Sequence, residues 1–102
     1  MEVKEGVILA GLDIKMRPVL IEAEKIWKRY GRTEGTTITS ALDGVHSAGS
    51  LHYYGRALDF RTRYFTEEEK NAVFAELIEA LDGTLYDFVN HSTHIHIEYD
   101  PK

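Results

Sequence analysis

Between Arg17 and Tyr30 apolar residues recur at every third or fourth position: Val19, Leu20, Ala23, Ile26, Trp27 and Tyr30, with Glu22, Glu24, Lys25 and Lys28 between them. That period puts the apolar set on one side of a helix. Pro18 suits its first turn, where a missing N–H costs little, and Gly31 suits the position after its end. A second helix is predicted after Thr66. Thr66 and Glu69 have capping-box spacing, Val73, Phe74, Leu77, Ile78 and Leu81 mark the buried side, and Gly83 closes the segment.

Elsewhere the period drops toward two. Thr36 to Ala41 is rich in β-branched residues and reads as a strand. Arg56 to Arg61 reads as another, with Ala57, Asp59 and Arg61 on one face and Leu58 and Phe60 on the other. Leu85 to Val89 and His94 to Tyr99 complete the set, joined by a polar turn over Asn90 to Thr93. Leu42 to Tyr54 has neither period and carries Gly44 and Gly49, so it reads as an irregular loop of the kind that presents functional groups. The order of helix, strands, helix, strands predicts an α+β domain with a small, mainly antiparallel sheet and two helices.

A length of 102 residues supports one core, so residues 1–102 are expected to form a single domain. The chain lacks cysteine, which excludes thiolate zinc fingers and leaves His, Asp and Glu as metal ligands. With a formal net charge of -5 and scattered basic residues, no nucleic-acid partner is expected. The opening MEVKEGVILAGLDIK lacks a basic start followed by a long apolar stretch, so no signal peptide and no membrane span are expected. Synthesis in the cytoplasm follows from that reading.

The chemistry concentrates in two places. Alternation in the last strand sets His94, His96 and Glu98 on one face, opposite Ile95, Ile97 and Tyr99. Alone, such a pair more often serves a solvated strand face than a metal. The second place is SLHYYGRALD, where His52 precedes Asp59 by seven residues, Gly55 permits a close backbone approach and Ala57 leaves room beside the carboxylate. Two histidines and one aspartate with an open fourth position form a donor set suited to a catalytic zinc ion.

Ser50, His52, Gly55, Ala57 and Asp59 resemble the SxHxxGxAxD motif of the M15 peptidases. His91, His94 and His96 resemble the HxxHxH ending of the branch that includes D-alanyl-D-alanine carboxypeptidases and penicillin-insensitive murein endopeptidases, and Thr39 and Ser40 resemble the family's upstream TS. The resemblance spans roughly residues 17 to 99 and implies the fold shared with the Hedgehog signalling domain. It implies that His52, Asp59 and His96 ligate Zn²⁺, that His94 handles the proton, and that His91 serves as oxyanion donor or orienting partner. The implied substrate is a peptide of peptidoglycan, cleaved as a carboxypeptidase or an endopeptidase cleaves it, with action at the bacterial cell wall in a phage or prophage setting. A noncatalytic zinc-stabilised interaction domain is the alternative within the same fold.

The chain departs from the family in two respects. Thr93 occupies the position where some members carry a carboxylate base, and Leu42, Asp43 and Gly44 stand where many carry an arginine. Arg56 and Arg61 flank Asp59 as substitutes for that arginine, or as surface ion pairs. His46 and Asp43 have an ordinary loop reading beside a site reading, Tyr53 and Tyr54 a core-covering one, and Glu98 is expected to lie too far along its strand to join the site.

Overall fold

A computed structural model describes residues 1–41 and 55–101. In chain order the elements are β1 (Glu2–Val3), a 3₁₀ turn (Ile14–Met16), α1 (Arg17–Arg29), β2 (Thr37–Ser40), β3 (Ala57–Arg61), α2 (Glu67–Ala80), β4 (Tyr86–Asn90) and β5 (His94–Tyr99). The strands form one sheet in the order β1-β2-β3-β5-β4, parallel between β1 and β2 and antiparallel at every other pairing. The chain is therefore α+β with a mainly antiparallel sheet and two helices. Two short elements were not legible in the periodicity: β1 spans only two residues, and the 3₁₀ turn leads into α1.

The core lies between the helices and one face of the sheet. Val19, Ala23, Ile26 and Trp27 from α1 and Val73 and Leu77 from α2 meet Leu58, Phe60, Ile95 and Ile97 from β3 and β5. The four strand residues are fully buried. Burying each such side chain contributes about 1.5–3 kcal/mol, so a one-residue slip of either strand forfeits several kcal/mol, comparable with the ~5–15 kcal/mol stability of a whole domain. The apolar face thus fixes the register of the opposite face, where the polar residues sit.

Helix α2 has the capping box expected of Thr66 and Glu69, with each side chain bonded to the other's backbone N–H. Its buried stripe differs from the expected one. Ile78 is 44% exposed, because the stripe runs through Lys70, Val73, Leu77 and Leu81 and Ile78 lies about 100° past Leu77. Lys70 takes the remaining buried position by directing its ammonium to the carbonyl of His91 at 3.2 Å and to Glu67 at 3.5 Å. The α2 helix thereby holds the turn that precedes β5. Among the described residues no helix is long and apolar enough to cross a membrane.

Candidate metal centre

The β3–β5 pairing sets Ala57 opposite Glu98, Asp59 opposite His96 and Arg61 opposite His94. Alternation then puts all six on the face turned away from the helices. The Asp59 carboxylate lies between two imidazoles, with Oδ1 at 2.7 Å from His96 Nδ1 and Oδ2 at 3.9 Å from His94 Nε2. The second ring nitrogen of His96 meets Glu98 Oε1 at 2.9 Å. Ala57 projects only a methyl group beside Glu98, which leaves the longer side chain free to lean along its strand toward His96.

Glu98 therefore joins the site, contrary to the expectation that it lay too far along the strand. The reason is the strand's own geometry: residues two apart share a face at a separation a glutamate side chain can span. Burial of the His96 ring pushes its pKa down, but the hydrogen bonds and charges of Asp59, and then of Glu98, outweigh that effect and hold it above the ordinary histidine value. The ring has the geometry to give one N–H to each carboxylate.

Next to Asp59 the sheet is irregular. Ile38 pairs with Phe60 but Ser40 pairs with Asp59, so Thr39 is an extra residue in β2. Such a bulge re-aims side chains, and here both Thr39 and Ser40 line the cavity that Asp59 and His94 also line. The cavity has a volume of about 280 Å³ and is completed by Lys4, Arg61, Arg63 and Thr93.

The sequence-derived site residues are distributed unevenly. Asp59, His94 and His96 converge. His91 is exposed and stacks on His94 at 4.5 Å between ring centroids and 27° between planes, which suits an orienting partner. His52 lies outside the described residues, as do Asp43, His46, Tyr53 and Tyr54. Arg56 is an ion-pair residue, 3.3 Å from Asp13, whereas Arg61 lines the cavity. Gly55 approaches the 11–13 segment closely, its carbonyl accepting the Asp13 N–H at 2.9 Å, while the loop it was expected to bring near the strand lies outside the described residues. Lys4 and Arg63 were missed, since neither stands in a motif. A second group of potential metal ligands, Asp87, Glu98 and Asp100, shares Glu98 with this site and brings carboxylate oxygens within 4.8 Å of one another.

The donors fit a zinc ion chemically: an imidazole nitrogen and a carboxylate oxygen face each other, and a second carboxylate backs the imidazole. Compared with protein-family models, with curated proteins and with solved structures, the chain matches none.

Proposed function

We propose that the chain is a zinc metallopeptidase of M15 type that hydrolyses peptide bonds of peptidoglycan, with Zn²⁺ held by His52, Asp59 and His96. The observation that carries this reading is the Asp59 carboxylate set between His96 and His94 across one strand pair, three residues that the motifs single out. A zinc ion in such a site supplies Lewis acidity toward both a water molecule and the scissile carbonyl.

The chain's own groups divide the remaining work. With a zinc ion bound, Glu98 would keep the Nε2–H of His96, leaving the deprotonated Nδ1 to the ion that Asp59 would also hold. His94, which lines the cavity, would take a proton from water and return it to the leaving amine in this reading. Stacking by His91 and the 3.3 Å contact between Thr93 Oγ1 and His94 Nδ1 restrain the His94 ring. Action at the bacterial cell wall, in a phage or prophage setting, belongs to the same proposal.

The test is to load the purified protein with zinc and follow hydrolysis of a muramyl stem peptide ending in D-alanyl-D-alanine, beside His96→Ala and His94→Ala variants whose folding is checked by circular dichroism. Hydrolysis that disappears in His96→Ala together with zinc binding, and in His94→Ala with zinc retained, is the expected pattern. Zinc binding without hydrolysis of stem peptides or intact walls overturns the enzymatic reading.

A further inference from the structure

The cavity beside Asp59 and His94 carries more positive charge than its surroundings account for. The chain as a whole is acidic, with 17 Asp and Glu against 12 Lys and Arg. Six of its other basic side chains have carboxylate partners: Lys25 with Glu22, Lys28 with Glu24, Arg29 with Glu76, Arg32 with Glu2 and Glu34, Arg56 with Asp13 and Lys70 with Glu67. Among the described residues Lys15 and Arg17 are without one, as are Lys4, Arg61 and Arg63; what sets the last three apart is that they stand together. All three line one cavity, and among the described residues none of them is ion-paired with a carboxylate.

They come from separate parts of the chain. Lys4 follows β1, where its backbone N–H donates to the Ile38 carbonyl at 2.9 Å and so ties it to the edge of β2. Arg61 ends β3 opposite His94, and Arg63 follows two residues later. The segment between them is fixed by buried Thr62, whose N–H donates to the Thr93 carbonyl at 3.0 Å. The Arg61 carbonyl is anchored from below by the indole N–H of Trp27 at 3.3 Å. Asp59, the carboxylate in the same cavity, is turned toward His96 and His94. Three cations on an anchored backbone, facing a cavity with their charge uncompensated by neighbouring acids, form a receptor for an anion, and the planar arginine forks suit a carboxylate.

We infer that Lys4, Arg61 and Arg63 bind the free terminal carboxylate of a peptide substrate, making the site selective for removal of a carboxy-terminal residue. The inference rests on the proposed peptidase reading and narrows it. Asp59 and His94 line the same cavity, so a terminal carboxylate seated among these cations puts the preceding peptide bond in the cavity those two residues share. An internal segment of a crossbridged peptide offers no such charge.

The experiment is a nuclear magnetic resonance titration of the zinc-free protein with N-acetyl-D-alanine and with N-acetyl-D-alaninamide, repeated on Arg63→Gln, Lys4→Gln and Arg61→Gln. Arg63 and Lys4 are exposed, so their variants retain the fold even if Arg61→Gln does not. The expected result is at least tenfold tighter binding of the acid than of the amide, with shifts at residues 59–63 and 93–94. That preference falls severalfold in each folded variant and weakens with added salt. Equal binding of acid and amide, or an acid preference that survives Arg63→Gln and Lys4→Gln together, overturns the inference. Hydrolysis of the matched acid and amide dipeptides by the zinc-loaded protein is scored separately: acid preference in binding with no hydrolysis leaves the carboxylate subsite standing and removes the peptidase reading, whereas equal cleavage of both dipeptides removes the subsite and keeps the peptidase.

Discussion

Asp59 and His96 are direct partners across the β3–β5 ladder, joined side chain to side chain at 2.7 Å. Their positions in the sequence are 37 residues apart, and what unites them is the apolar alternation on the other face of the same two strands. Leu58 and Phe60 must be buried with Ile95 and Ile97, and once they are, Asp59 and His96 have one possible relation. The polar site is a consequence of how the core closes.

Glu98 is expected to tune the site through His96. A carboxylate on the far nitrogen of a ligand imidazole typically changes metal affinity by about 10- to 100-fold. Glu98→Ala should weaken zinc binding by that factor in a competition titration with a chelating dye, and Glu98→Gln, which keeps an acceptor oxygen, should recover most of the loss. Equal damage by both substitutions would assign Glu98 a purely packing role.

Metal removal should lower thermal stability. Free zinc at about 100 times its dissociation constant adds ~2.7 kcal/mol to the folded state, which for a domain near 100 residues raises Tm by roughly 10–20 °C. Calorimetry with zinc and with chelator checks this. Asp59→Asn should abolish the shift, while Asp87→Asn should leave it intact; the reverse result would put the metal among Asp87, Glu98 and Asp100.

The two helices and the faces of β3 and β5 were legible because each follows from a period that burial enforces, whereas the meeting of Asp59 with His94 and His96 was implied by the motif resemblance and not by any period. What escaped was set by other physics. The two residues of β1 are held by pairing with β2 rather than by any pattern of their own, so the arrival of Lys4 at the cavity had no signal. Lys70 sits on an apolar stripe because one carbonyl and one carboxylate receive its ammonium, and charge patterning along the chain does not reveal either partner. Glu98 was within reach of sequence reasoning: its face was assigned correctly, and only the span of its side chain was underestimated.

Acid should destabilise the protein partly through Glu24. Burial of this carboxyl raises its pKa, but hydrogen bonds from the hydroxyl and backbone N–H of Thr36, the latter 2.8 Å, outweigh burial and hold it below the ordinary glutamate value. A depressed folded-state pKa contributes stability that is complete above the unfolded value, near ~4.3, and is lost as pH falls through the folded value. Glu76, held low by Tyr30 and Arg29, acts in the same window, so the measurement is a difference. Glu24→Gln should cost about 1–3 kcal/mol in urea unfolding at pH 7, with the gap to the parent protein closing below pH 4. A gap independent of pH would remove the carboxylate's charge from the explanation.

Gly55 and Gly31 provide a test of how the site is tied to the rest of the chain. Both have left-handed backbone, with φ of +71° and +92°, and alanine there costs about 1–2 kcal/mol in conformational strain. They differ in surroundings. A Cβ at Gly31 meets nothing within 4 Å, whereas one at Gly55 would lie 2.6 Å from the Gly11 carbonyl oxygen and 3.2 Å from the Asp13 nitrogen. Both neighbours are backbone, so relief requires the 11–13 segment to separate from the start of β3, breaking the bond between the Asp13 N–H and the Gly55 carbonyl. Gly31→Ala should therefore lower Tm by roughly 4–16 °C, the strain alone, and leave zinc affinity unchanged. Gly55→Ala should lower it further and weaken zinc binding as well, since Gly55 lies between His52 and Asp59 in the chain. Equal effects of the two substitutions on Tm and none on zinc would show that the approach of Gly55 to Gly11 contributes nothing to holding the site.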